Sequence, residues 1–70
     1  MSSIRVSQKG KLFFDLYYRQ IRCREYTELN DTTTNRAVME RIRRKIDKEI
    51  KASTFIYRNY FPNSKRVAQF

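Results

Sequence analysis

Apolar and polar residues alternate over three short segments in the first third of the chain, and this pattern predicts three β-strands. The segments are residues 3–7, 12–18 and 21–27, and the second is also rich in aromatic residues, as strands often are. They are separated by residues 8–10, which contain the only glycine, and by residues 19–20. Connections this short join antiparallel neighbours, so we expect a three-stranded antiparallel sheet.

The two predicted hairpins divide the sheet into the same apolar and polar faces. A three-residue loop with Gly10 in the left-handed conformation pairs Val6 with Leu12. A two-residue turn pairs Tyr18 with Ile21. Because directly paired residues share a face, the apolar face carries Ile4, Val6, Leu12, Phe14, Leu16, Tyr18, Ile21 and Cys23. The opposite face, here called the open face, carries Arg5, Ser7, Lys11, Phe13, Asp15, Tyr17, Arg22, Arg24 and Tyr26.

The next segment has the period of an amphipathic helix. Asp31 and the three threonines after it can accept hydrogen bonds from the first free N–H groups, and we expect a helix from about Thr33 to Ala52. Two acidic residues interrupt the predicted apolar surfaces. Glu49 falls within the apolar stripe of the helix, and Glu25 falls on the apolar face of the sheet, where we expect it to lie near the sheet edge. The stripe contains Asn35, Val38, Met39, Ile42, Ile46 and Ile50. The predicted fold is therefore α+β, a three-stranded antiparallel sheet packed on one C-terminal helix in the order β-β-β-α.

Aromatic residues continue beyond the helix. Phe55 is expected to close the core, and Tyr60, Phe61 and Pro62 either pack back on the domain or meet a following domain. Residues 63–70 are predicted to be a linker, so the predicted division is 1–62 for the domain and 63–70 for the linker.

The charge of the chain favours a polyanionic partner. Its 70 residues carry 16 Lys and Arg against 7 Asp and Glu, a net charge of +9 that is spread over the predicted sheet, helix and tail. Nucleic acid is the partner that this balance favours most, and an acidic protein or a membrane surface is the alternative. The helix stripe is needed for the core, which argues against the membrane surface.

The single cysteine and the absence of histidine exclude several kinds of site. Cys23 has no partner for an internal disulfide and no histidine to activate it, so we interpret it as a core residue of a reduced, intracellular protein. Zinc sites built from histidine or from several cysteines are excluded as well. The chain has no phosphate-binding glycine loop and no convincing acid–base pair, so no cofactor is expected.

The open face combines arginine with tyrosine, which suits nucleic acid. A twisted sheet can enter the major groove of DNA, where arginine binds guanine or phosphate and tyrosine contacts thymine methyl groups or sugars. Lys9 and Lys11 lie at a predicted hairpin tip, which suits a contact with the DNA backbone. The candidate DNA-binding residues are Arg5, Ser7, Lys9, Lys11, Tyr17, Arg19, Arg22, Arg24 and Tyr26.

Several motifs resemble a known family when taken in chain order. They are Gly10-Lys-Leu-Phe-Phe-Asp15, Tyr18-Arg19, Arg22-Cys-Arg-Glu-Tyr-Thr27, Leu29, Asp31-Thr32, Asn35-Arg36, Ile46, Glu49-Ile50, Thr54-Phe55, Tyr57, Tyr60-Phe-Pro62 and Ser64. This combination resembles the N-terminal arm-type DNA-binding domain of phage integrases, which are tyrosine recombinases. The resemblance implies a three-stranded sheet and one helix, with the sheet in the major groove of arm-type attachment sites. One departure is Gln20, where the family pattern leads us to expect glycine in the turn that places Arg19 and Arg22.

The resemblance also implies that this chain is a non-enzymatic module. Catalysis in the family needs a tyrosine nucleophile with arginines and a histidine in a separate domain, and this chain has no histidine. The implied partner is double-stranded DNA at the arm-type sites of a phage or prophage integrase acting in DNA integration, without cofactor or membrane. Homo-oligomers are expected only in the full-length integrase, and the expected location is the cytoplasm of a bacterial host, at the nucleoid.

Other functions stay open at this point. An RNA-binding module is one, because a small aromatic sheet can stack bases and a β-β-β-α unit is similar to double-stranded RNA-binding folds. A protein-interaction domain that uses the aromatic tail is another. The open face has its own alternative, a solvated surface with the cross-strand pairs Asp15–Arg24 and Tyr17–Arg22. The basic helical run 41–48 is predicted to be solvated and paired with neighbouring acids, with a supporting phosphate contact as the alternative.

Overall fold

Three antiparallel strands followed by one long helix form the two layers of the domain, in the predicted order β-β-β-α. The computed structural model describes residues 2–70, and the central strand of its sheet is β2. The elements in chain order are β1 (Ser2–Val6), β2 (Lys11–Tyr18), β3 (Ile21–Asn30), α1 (Thr33–Lys51), α2 (Tyr57–Tyr60) and a C-terminal 3₁₀-helix (Lys65–Gln69).

Both predicted strand registers are confirmed. Val6 lies opposite Leu12 in the first hairpin, and Tyr18 lies opposite Ile21 in the second. Gly10 has a φ of 78° and donates its N–H to the Ser7 carbonyl at 3.0 Å, so it holds the left-handed position at the end of the first loop. The apolar face of the sheet therefore points toward α1, and the open face points away from it.

The third strand is longer than predicted, because it continues past Thr27 to Asn30. The pairing is irregular between Lys11 and Phe13, and three residues of β3 there lie opposite Leu12 alone. The Thr27 hydroxyl bridges the gap in the ladder, since it donates to the Leu12 carbonyl at 2.8 Å and accepts from the Leu29 N–H at 3.1 Å. The irregularity carries the end of β3 alongside Lys11.

The second turn forms without the glycine that the family pattern leads us to expect. Arg19 and Gln20 have φ values of 52° and 67°, the two positive values of a type I′ turn. That turn matches the twist of the flanking strands, but its left-handed conformation costs a residue with a Cβ about 1–2 kcal/mol.

Gln20→Gly is expected to raise the free energy of unfolding by about 1 kcal/mol, because it relieves this strain at a smaller entropic cost. Gly10→Ala is the matched control with the opposite sign: a Cβ there would meet nothing within 4 Å, so backbone strain alone should destabilise the domain. Urea denaturation measures both variants. A loss of stability in Gln20→Gly would show that the glutamine side chain stabilises the turn.

The helix packs across the apolar face largely as predicted. Its N-terminus is capped by Thr32, whose hydroxyl accepts from the Asn35 N–H at 3.1 Å. Met39 and Ile46 are buried, whereas Val38 is 42% exposed, so its predicted place in the core was wrong. Neighbouring helical residues are about 100° apart, and with Met39 at the contact Val38 turns toward solvent.

The segment after α1 completes the core over the part of the sheet near β3. Phe55 is buried, as predicted, and so is Tyr57, while Phe61 packs at the edge of the same cluster. Val67 and Phe70 also pack against this cluster. The division of the chain into a domain 1–62 and a linker 63–70 stays a prediction.

The same segment explains the two acids that interrupt the apolar surfaces. Glu25, on the edge strand β3 as expected, accepts from the Tyr57 hydroxyl and from the Ser64 hydroxyl at 2.7 Å. Glu49 accepts from the Tyr60 hydroxyl at 2.8 Å. Burial and the Glu49 carboxylate raise the pKa of Tyr60 to about 12. The Tyr60 hydroxyl therefore stays protonated and can donate this hydrogen bond at neutral pH.

Candidate nucleic-acid interface

A charged cluster lies at the centre of the open face, and each strand contributes one side chain to it. Asp15 on β2 accepts two hydrogen bonds from Arg22 on β3, at 3.1 Å from Nε and 2.7 Å from Nη2. The Nε of Arg5 on β1 lies 3.1 Å from the same carboxylate. The hydrogen bond from Arg22 lowers the pKa of Asp15, and the charges of Arg5 and Arg24 add to this effect.

The cluster corrects the predicted ion pair between Asp15 and Arg24. These two residues lie directly opposite each other in the register, yet within residues 2–70 Arg24 has no carboxylate within 4 Å. Asp15 instead pairs with the diagonal neighbours Arg5 and Arg22, because the twist of a sheet brings long diagonal side chains within reach. Arg24 is therefore an exposed guanidinium beside an already neutralised carboxylate.

Two tyrosines give the open face its aromatic surface. Tyr26 is 62% exposed and stacks on Phe13, with 4.6 Å between the ring centroids. Phe13 is only 8% exposed beneath it, so Tyr26 supplies the exposed aromatic surface of this pair. Tyr17 is exposed as well and lies opposite Arg22, as predicted. Along the open face, the two exposed rings lie on either side of the Asp15–Arg24 pair of the register.

The first hairpin places basic side chains at one end of the open face. Lys9 is exposed at the loop, and the Lys11 ammonium donates to the Asn30 side-chain oxygen at 2.6 Å. The Ser7 hydroxyl accepts from the Lys11 N–H at 3.3 Å, so it also supports the loop. A groove of about 700 Å³ runs between this loop and Tyr26. The hairpin end therefore combines positive charge with a recess beside an aromatic ring.

Arg19 is the one predicted contact that lies apart from the others. Its guanidinium is 5.2 Å from the ring centroid of Tyr18 and 6.0 Å from that of Phe70. Tyr18 belongs to the apolar face, so the turn directs Arg19 toward the core side of the sheet. The other eight predicted residues lie on the open face or at its hairpin end.

The basic residues of α1 lie on the opposite side of the domain. Arg43 pairs with Glu40 and with Asp47, at 3.0 Å from the latter, and its guanidinium also reaches the Ser2 carbonyl. The local pairing predicted for this run is thus confirmed at Glu40 and Asp47, and it was wrong for Glu49, which binds Tyr60. The exposed cations of α1 include Arg41, Lys45 and Lys48.

Sequence reasoning missed two contributors to this face. Asp15 was placed there only as a partner for Arg24, although a lone acid on the central strand, with arginines on both outer strands, is a signal for a shared ion-pair partner. Asn30, which holds Lys11, fell outside the predicted third strand.

Within residues 2–70 no three Asp, Glu or Cys side chains come together as metal ligands. No helix in this part of the chain is long and apolar enough to cross a membrane.

Comparison with known protein families gives a match over most of the chain. Residues 1–65 match the family described as "Arm DNA-binding domain". No curated protein and no solved structure matches the chain significantly.

Proposed function

The chain belongs to the family of arm DNA-binding domains of phage integrases, and on that basis we propose that the open face binds the major groove of duplex DNA. The observation that carries the proposal is the composition of that face. Arg5, Arg22 and Arg24 are exposed there beside two exposed tyrosines. The carboxylates near them are Asp15, which is paired with Arg5 and Arg22, and Glu28, which lines the groove at the hairpin end. The apolar face is covered by α1 and the tail, so it offers no comparable surface.

The dimensions of the sheet support this placement. Neighbouring strands lie about 4.8 Å apart, so a three-stranded sheet is about 10 Å wide between its outer strands. The major groove is about 12 Å wide and admits an α-helix or a two-stranded β-ribbon. The open face has its arginines near the middle and lysines at the hairpin end, which is the order needed for base contacts at the centre and phosphate contacts at the rim.

Each candidate residue has a proposed role in this arrangement. Arg22 and Arg24 contact base edges, while Arg5 contacts a base or phosphate on the β1 side. Tyr17 and Tyr26 contact thymine methyl groups or sugars. The remaining candidates contact phosphates. Arg19 contacts a phosphate beside the groove, because it lies in the second turn, at the end of the sheet opposite the first hairpin. The phosphate contacts are Ser7, Lys9, Lys11 and Arg19.

We further propose that this domain acts in a phage or prophage integrase of the tyrosine recombinase family. The domain itself binds DNA without catalysing a reaction, and its role is to tether the recombinase to arm-type attachment sites in the bacterial cytoplasm, at the nucleoid. Phe55 and Tyr57 of the tail are buried in the core. This burial disfavours the alternative of a protein-interaction domain that uses the tail as its contact surface.

An NMR titration of the isotope-labelled chain with a short DNA duplex tests the proposal, with an RNA duplex of equal length as the comparison. The expected result is a set of shifts on the open face within residues 5–26 and tighter binding to DNA. Shifts concentrated on Arg41, Lys45 and Lys48 would place the interface on the helix instead. Tighter binding to RNA would favour an RNA-binding module.

A further inference from the structure

We propose that Asp15 makes Arg22 a guanine-reading residue by holding one edge of its guanidinium and presenting the other edge to the groove. The inference rests on the proposed function, because it assumes that the open face enters the major groove. It adds a chemical preference, the O6 and N7 acceptors of a guanine, and a positioning residue that does not itself touch the base.

The geometry of the pair leaves one complete donor edge free. A guanidinium has five N–H donors in a planar fork. Asp15 accepts from Nε and Nη2 of Arg22, so the outer edge formed by Nη1 and the second N–H of Nη2 stays available. That edge carries two parallel N–H groups, and guanine presents two adjacent acceptors in the major groove. Adenine replaces one of those acceptors with a donor, so it fits this edge less well.

Burial distinguishes this pair from an ordinary surface ion pair. The Asp15 side chain is 6% exposed, whereas that of Arg22 is 43% exposed, so the pair is anchored at its inner end and open at its outer end. Arg5 has its Nε 3.1 Å from the same carboxylate, but it lacks the paired hydrogen bonds of Arg22 and is more exposed. Arg22 is therefore the arginine whose orientation is held by two bonds, and less side-chain entropy is lost when it binds a base.

A carboxylate at the centre of a DNA-binding face also has an electrostatic effect. Asp15 repels phosphate, so it lowers the affinity of the face for any duplex while it orients Arg22 for one base. Asp15→Asn should then have two opposite effects: tighter binding to DNA of arbitrary sequence, and weaker discrimination between a preferred and an arbitrary sequence. A merely structural ion pair does not produce opposite changes of this kind.

The test begins with selection of preferred sequences from a pool of randomised duplexes by the 70-residue chain. We expect a selected motif that contains a guanine whose preference is lost in Arg22→Ala and reduced in Asp15→Asn. Replacing that guanine with 7-deazaguanine removes the N7 acceptor. It should weaken binding of the unmodified chain about tenfold and leave binding of Arg22→Ala unchanged. Arg41→Ala is the matched control, because Arg41 is exposed on α1 on the opposite side of the domain, and it should keep the motif.

The outcomes separate this inference from the proposed function. Failure of the unmodified chain to bind any duplex would overturn the proposed function. Binding with a motif that does not respond to 7-deazaguanine would overturn the guanine contact alone. If Asp15→Asn weakens binding to preferred and arbitrary duplexes equally, Asp15 has a structural role only. Circular dichroism establishes that each variant is folded before binding is compared.

Discussion

The double variant Arg22→Ala, Arg24→Ala is expected to bind duplex DNA at least about tenfold more weakly than the unmodified chain while staying folded. Both side chains are exposed on the open face, and Arg5 remains beside Asp15 when Arg22 is removed. Each arginine that neutralises a phosphate makes the slope of log K against log salt concentration steeper by about 0.9. A shallower slope in the double variant would therefore identify phosphate contacts. Fluorescence anisotropy between 50 and 200 mM salt measures affinity and slope together.

The matched control is Lys45→Ala, Lys48→Ala, which removes the same charge from the opposite side of the domain. Both lysines are exposed on α1. The domain measures 31 × 22 × 18 Å, and a Debye length is about 10 Å at 0.1 M salt, so charge on the far side is largely screened from DNA bound to the sheet. This control should change the affinity less than about threefold. Equal losses in the two double variants would show that the open face is not the interface.

The two faces of the sheet could be predicted because two short hairpins fix them independently. In each hairpin the turn sets the register, and a slip of one residue would mix apolar and charged side chains on both faces. The register alone did not identify the partner of Asp15. Arg24 is its direct neighbour, but Arg5 and Arg22 reach it diagonally, and this depends on sheet twist and on side-chain rotamers that a linear pattern does not contain.

The contacts of the tail were beyond local sequence patterns for a different reason. Glu25 appears as an error in an apolar face until Tyr57 and Ser64, more than 30 residues later, supply its donors. Glu49 is likewise explained by Tyr60. No periodicity links such distant residues, whereas composition did indicate that Phe55 belongs to the core. Acids that interrupt an apolar surface are therefore useful signals for a distant polar partner.

Ile46→Ala is expected to lower the free energy of unfolding by about 2–5 kcal/mol. Ile46 is fully buried where α1 meets the sheet, and truncation removes apolar contacts and leaves a cavity. A single core of this size rarely supplies more than about 3–5 kcal/mol in total. A substantial fraction of the variant should therefore be unfolded at 25 °C, which urea denaturation followed by circular dichroism measures.

Val38→Ala is the control on the same helix, because Val38 is 42% exposed and alanine has the higher helix propensity. Its change in unfolding free energy should stay below about 1 kcal/mol. A loss as large as that of Ile46→Ala would mean that α1 packs through a different face.

Duplex DNA at 100 times its dissociation constant should stabilise the folded state by about 2.7 kcal/mol. Added duplex should therefore restore much of the helical signal of Ile46→Ala, since the residue supports the open face from behind without contacting DNA.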